Sequence, residues 1–431
     1  MQLKKRFLSI LFWSVISAAF IGPGTLATAS SAGALFKFDL VWALVFASVA
    51  CILLQECAAR IMIASGYSFG EAVAKKFLGK QGNIIRWGLA GSVVFGCAAY
   101  QAGNILGALA GLDLLIDVDP KILISGVGLL VGALLWFGTY KSIANMLGMV
   151  VALMGILFFL VVFQNPLDAS ALVKGAFVPN IPANAELIVV GLIGTTIVPY
   201  NLFLASGVSQ GQKVSEMRFG IIIAIALGGL ISIAILIVGT QVNQKMTFDV
   251  LAQTLGDSFG PQAKILLALG LFAAGITSSI TAPLASAITA KSLLGHNNQN
   301  WSEGSKYYKR VWMLVLGFGL IVGLAQVDIF PVIIMAQAVN GLLLPVVAIF
   351  LILTINDRNL IPIEFRNSIF LNIFLLLILF VSLVLGLNNL YKAGSAIVGM
   401  TAGINGLYYS GTVALAISIW VATRIFTKQS D

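Results

Sequence analysis

Long apolar runs, each of about 17–25 residues, recur along the whole chain, and a run of that length is enough to cross a bilayer as a helix. They fall at about 8–34, 40–64, 84–112, 121–137, 142–163, 187–209, 217–241, 263–290, 309–327, 330–355, 368–388 and 405–427. The pattern predicts an all-α integral membrane protein of twelve spans. The divisions at Asp328-Ile329-Phe330-Pro331 and near Gly138-Thr139-Tyr140-Lys141 rest on the weakest polar separators.

The first and sixth spans are interrupted. Ile21-Gly22-Pro23-Gly24-Thr25 and Val198-Pro199-Tyr200-Asn201 each place a proline inside an apolar run. Proline removes a helical hydrogen bond, and the freed groups are tolerated in a membrane only where protein or a water-filled cavity satisfies them. The two breaks can be superposed. Pro23-Gly24-Thr25-Leu26-Ala27-Thr28-Ala29-Ser30 matches Pro199-Tyr200-Asn201-Leu202-Phe203-Leu204-Ala205-Ser206 at Pro, Leu, Ala and Ser, with Thr25 against Asn201. Equivalent positions are five spans apart, so the second copy is inverted in the membrane. Matching breaks in an inverted repeat point to a midplane binding site in a secondary transporter. The plainer reading is two unrelated packing kinks.

Charge sets the orientation. With the N-terminus in the cytoplasm, 19 of the 25 Lys and Arg lie inside, leaving Lys37, Lys121, Lys174, Lys245, Lys264 and Lys392 outside. That bias places both termini in the cytoplasm. It also accounts for most of the formal net charge of +9 without a nucleic-acid partner or a lipid-specific basic patch.

Composition agrees with a membrane protein. The 431 residues are 59% hydrophobic and only 10% charged, against about 25% charged in soluble domains. Lys4-Lys5-Arg6 and the following run resemble a signal peptide, but the run is too long and reads as the first helix. Cys51, Cys57 and Cys97 lie in apolar segments without a CxxC pair and read as buried thiols. His296 sits in a polar stretch, which speaks against a histidine metal site. No ATP-binding loop, cofactor motif or catalytic constellation is present, so the expectation is a gradient-driven transporter and not an enzyme.

At this point the motifs resemble the NRAMP family of divalent-metal transporters, from about Ser14 to Leu360. Gly22-Pro23-Gly24-Thr25 stands where that family has Asp-Pro-Gly-Asn. Val198-Pro199-Tyr200-Asn201-Leu202 stands where it has Met-Pro-His-Asn-Leu. Leu54-Gln55 with Ala58-Ala59-Arg60, Gly275 to Thr281, Ala336-Gln337-Ala338-Val339 and Asn356-Asp357-Arg358 are similar too. The resemblance implies a LeuT-like inverted repeat of two five-helix units plus C-terminal helices. Repeat one would be about 8–163, repeat two about 187–355 and the extra helices about 368–427, in one transporter domain at the cytoplasmic membrane.

The resemblance also implies where a metal would be held, and there the chain departs from the family. The first-helix Asp and Asn, the sixth-helix Met and a carbonyl one turn before it fall on Gly22, Thr25, Val198 and Thr195. Only the Thr195 carbonyl and the Thr25 hydroxyl could still ligate. The sixth-helix His becomes Tyr200, Asn201 is kept, and third-helix carboxylates fall on Gln101 and Asn104. Gln337 matches a tenth-helix Gln that can join the metal shell. A hard divalent ion takes compensation from carboxylates, yet none of the 16 acidic residues lies mid-span near the breaks.

Candidate substrate-binding residues are therefore Gly22, Gly24, Thr25, Thr195, Val198, Tyr200, Asn201, Gln337 and Asn340, around the breaks at Pro23 and Pro199. Gln101 and Asn104 either line a path or tie helices together, and neutral amides suit the tie. Thr277, Ser278, Ser279 and Thr281 either complete a sodium site or serve as small packing residues. The polar runs Lys75 to Lys80 and Ser302 to Arg310 read as solvated loops. The function expected is alternating-access transport, nominally of a metal ion with altered selectivity. The alternatives are transport of a monovalent cation or a neutral or organic solute, or a membrane sensor that kept the fold.

Overall fold

A computed structural model describes residues 21–138, 140–164, 166–295, 299–397 and 405–427. Among these residues every regular element is helical. Residues 8–20 of the expected first span, with Lys4-Lys5-Arg6 and His296, lie outside them.

The chain enters at α1 (Pro23–Phe36) and runs through α2 (Val41–Ser65), α3 (Phe69–Lys76) and the long α4 (Gly79–Asp113). Then come α5 (Pro120–Phe137), α6 (Tyr140–Gln164) and the short α7 (Ala169–Phe177). The sixth span is two helices, α8 (Glu186–Thr196) and α9 (Pro199–Val208), followed by α10 (Val214–Gly239) and α11 (Phe248–Phe259). The rest is α12 (Pro261–Leu294), α13 (Lys306–Leu324), α14 (Ile329–Ile355), α15 (Ile369–Ile397) and α16 (Asn405–Phe426). Counting α8 and α9 together, 11 described segments are long and apolar enough to cross a membrane, which matches spans two to twelve.

Burial separates centre from rim. The α8–α9 segment is 89% buried and α4 78%, whereas α5 and α16 are 28%. The interrupted span is therefore inside the bundle, and the lipid-facing helices surround it. Small residues permit this packing, since they let helix backbones approach closely where hydrophobic driving force between helices is weak. At Gly33 of α1, a Cβ would stand 1.9 Å from the Leu236 carbonyl oxygen of α10. At Gly275 of α12 it would stand 2.5 Å from the Ala108 backbone nitrogen of α4.

One buried ionic cluster closes the bundle near the end of α2. Glu56 accepts from Arg60 Nε and Nη2, both at 2.9 Å, and from Arg218 Nε of α10 at 2.8 Å. Arg60, only 2% exposed, also donates to the Phe365 carbonyl and, at 2.6 Å, to Asn367 Oδ1. Two hydrogen bonds from this guanidinium, to Phe365 and Asn367, thus pin α2 to the segment between α14 and α15, while its bonds to Glu56 stay within α2.

The two expected loops are partly helical. Ser68 accepts from Glu71 N while Glu71 returns a carboxylate to Ser68 N, and this capping box starts α3. Lys75 and Lys76 consequently sit in its last turn, where Lys76 pairs with Asp357. Likewise Ser305 caps α13 through Tyr308 N, so only 302–305 of the second stretch precede the helix. Cap residues beside charged runs outweigh the polarity that suggested loops.

Candidate substrate site between two broken helices

Helix α1 starts at Pro23, with Gly22 at its N-cap in an extended conformation (φ −95°, ψ 175°) and no side-chain cap. Proline fits the first helical position because its missing N–H would be unpaired there anyway. The sixth span is interrupted at a proline too. α8 ends at Thr196, Ile197 and Val198 leave the helical conformation, and α9 begins at Pro199, again without a side-chain cap. Pro199 has no N–H to offer the Thr195 carbonyl four residues back, so that carbonyl loses its helical partner.

The breaks meet. Thr25 Oγ1 and Thr195 Oγ1 are hydrogen-bonded at 2.9 Å, joining the first turn of α1 to the last turn of α8. Cys51 of α2 donates to the Thr196 carbonyl at 3.4 Å. Gln337 of α14 lies over Gly24, where a Cβ would come within 2.0 Å of its Nε2. Pro23 rests on Gly107 of α4, at 2.1 Å from an added Cβ there. Tyr200 packs edge-to-face on Tyr100 of α4 with ring centroids 6.0 Å apart. The Tyr100 hydroxyl faces Thr195 without closing a hydrogen bond.

Gly22, Pro23, Gly24, Thr25, Thr195, Val198, Pro199, Tyr200, Asn201 and Gln337 are all buried in this one region. Several polar atoms have no partner within the protein: Tyr200 OH, both amide atoms of Asn201, Gln337 Oε1, Tyr100 OH and Thr28 Oγ1. Buried polar atoms are usually satisfied, and although others lie elsewhere, among them Gln101 Oε1, Asn104 Nδ2 and Ser279 Oγ, the group at the breaks is where a ligand from outside the chain would find partners. The other candidates stand further out. Asn340 donates to its own helix at Ala336 and faces Gly96 of α4. Gln101 donates to the Ser279 carbonyl at 3.2 Å, tying α4 to α12, and Asn104 is buried beside it on α4. Thr277 and Thr281 return their hydroxyls to carbonyls of α12, and Ser278 is buried on the same helix. The residue that sequence reading missed is Tyr100. A tyrosine in an apolar run carries no local signal, and only its pairing with Tyr200 reveals it.

No group of three or more His, Cys, Asp or Glu is placed to hold a metal ion among the described residues. A family model, natural resistance-associated macrophage protein-like, matches residues 14–392. The chain belongs to this family. NRAMP relatives include a divalent metal cation transporter MntH of Verminephrobacter eiseniae, 25% identical over 355 residues and 77% of each chain. Another, from Bacillus subtilis, is 28% identical over 302 residues, 65% of this chain and 70% of the relative. A crystal structure of the Eremococcus coleocola manganese transporter, in complex with an aromatic bis-isothiourea compound, superposes with a TM-score of 0.70. It has 18% identity and covers 96% of this chain and 92% of its own. Mhp1, a nucleobase-cation-symport-1 transporter, superposes at 0.57 with 14% identity, covering 97% and 93%. The NRAMP chain is therefore a multi-pass membrane protein with the LeuT-like fold those structures share.

Proposed function

We propose that this NRAMP chain is a secondary-active transporter working by alternating access around the paired breaks, nominally of a metal ion but with altered selectivity. Its inverted repeats would be about 8–163 and 187–355, both termini would be cytoplasmic, and the plasma membrane would hold it. The observation that carries the altered selectivity is the Thr25–Thr195 hydroxyl pair. Two neutral oxygens bonded to one another stand where a divalent ion would need charged or strongly donating ligands, and dehydrating such an ion without counter-charge is costly.

A second reading, transport of a neutral or organic solute, is favoured by the orphaned groups. They include acceptors (Gln337 Oε1, Asn201 Oδ1), a donor (Asn201 Nδ2) and hydroxyls that can act either way. A bare cation would use only the acceptors. Titration calorimetry of the purified protein with manganese, cadmium and magnesium tests the matter, alongside proteoliposome uptake. Metal binding by the unmodified chain supports the nominal activity, and its absence in both assays removes it. The double variant Gly22→Asp with Thr25→Asn should gain divalent binding. A folded double variant that stays inert to metals means the site is elsewhere.

A further inference from the structure

We propose that the groove between α2, α10 and α15 binds an anionic phospholipid, with Arg218 on the phosphate and an acyl chain along the groove. This site would serve a lipid whatever the paired breaks carry. The groove measures about 220 Å³, and its walls include Ile52 of α2, Ile221 and Ile222 of α10 and Leu371 of α15. Glu56 and Arg218 complete the lining. Helices α2 and α10 run antiparallel here, since Glu56 meets Arg218 while Ser48 lies against Gly229. The charged pair therefore closes the end of the groove nearest the start of α10.

Charge selects the headgroup. Arg218 gives Nε to Glu56 at 2.8 Å, and its Nη1 and Nη2 make no hydrogen bond among the described residues. Its side chain is 51% exposed, and a guanidinium fork matches the oxygens of a phosphate. Glu56 is shared with Arg60, so the three groups leave one positive charge over. At a bilayer surface such a charge attracts anionic headgroups. A zwitterionic lipid brings its own cation and cancels nothing.

Shape and depth select a lipid over a soluble anion. Pockets that enclose a small molecule run to roughly 300–1,000 Å³, so this groove holds only part of its occupant. It opens outward, where Ile222 is 47% exposed. Arg218 stands four residues after Val214, the first residue of α10, about 6 Å along the axis. Helical side chains lean towards the N-terminus, so the guanidinium reaches headgroup level with the apolar walls behind it. That end of α10 is cytoplasmic in the orientation proposed above. The positive element is thus a single arginine at the mouth of a groove, and no polybasic run is needed.

The test is native mass spectrometry of the full-length chain in detergent, exposed to phosphatidylcholine and phosphatidylglycerol in equal amounts. The unmodified protein should retain phosphatidylglycerol about fivefold over phosphatidylcholine. Arg218→Gln, which leaves the Arg60–Glu56 pair in place, should bring that ratio close to one. Ile222→Trp, which fills the groove from its exposed side, should lower it as well. Lys213→Gln removes an exposed cation at the N-cap of α10 and should leave the ratio unchanged. Equal retention of the two lipids by the unmodified protein overturns the proposal and needs no variant. A ratio that survives Arg218→Gln, or falls as far with Lys213→Gln, also overturns it, since the attraction then belongs to the surface as a whole. If Arg218→Gln acts but Ile222→Trp does not, the headgroup is held without the groove and the site falls. Oleate that competes on equal terms with phosphatidylglycerol means that a carboxylate suffices, and the phosphate assignment is wrong.

Discussion

At the paired breaks, Asn201 and Gln337 hold amide atoms with no partner in the protein, whereas Glu56, little more than a turn along α2 from Cys51, accepts from two guanidinia. Both regions bury polar groups in a bundle that is otherwise apolar. The ionic cluster spends its hydrogen-bonding capacity inside the chain and so fixes α2, α10 and the α14–α15 connection relative to one another. The breaks keep theirs in reserve. Rigidity and readiness to bind are thus separated onto charged and neutral side chains within one bundle.

The comparison can be tested by removing its parts. Glu56→Gln leaves Arg60 buried without its counter-charge and should cost about 3–5 kcal/mol, read as a large fall in thermal stability in detergent. Replacing Arg60 by Met in the same chain should recover much of the loss. A Glu56→Gln protein as stable as the parent would mean that the cluster holds nothing together. Next in size is Gly33→Ala, whose Cβ meets the Leu236 carbonyl, a backbone atom that cannot swing away. Overpacking of that kind costs roughly 1–3 kcal/mol, again measured by thermal unfolding.

Changes at the breaks should move stability less and transport more. Thr25→Val keeps the shape but deletes the bond to Thr195, for about 1 kcal/mol, and should lower solute affinity. Gly24→Ala meets only the far end of Gln337, which can rotate. Its melting temperature should stay near the parent's while uptake falls. An equal loss of both would show that Gly24 is a packing residue. Smallest of all is Arg218→Ala, whose side chain is half exposed (51%) and whose removal leaves the Arg60–Glu56 pair intact. It should cost under about 1 kcal/mol.

Much of this was legible in the sequence. Eleven helical segments follow the apolar runs because in a bilayer length and hydropathy leave the backbone little choice. Pro199 announced the break in the sixth span for a local reason, the missing N–H, and Pro23 for the same reason opens α1. The contacts that decide chemistry were less accessible. Tyr100 lies about a hundred residues from Tyr200, and nothing in either neighbourhood announces the ring pair. The threefold role of Glu56, bridging α2 to α10 through Arg218, likewise depends on how distant spans pack. Gln101 was readable as a tie, but its partner, the Ser279 carbonyl, was not, since a backbone oxygen has no sequence identity.

Cys51 has a use of its own. Its thiol is fully buried and sits on the Thr196 carbonyl at the mouth of the break. A soluble alkylating reagent can reach that sulfur only when the helices part on one side or the other. With Cys57 and Cys97 replaced by Ala, Cys51 becomes an internal reporter of opening, and its labelling rate measures how often the closed arrangement gives way.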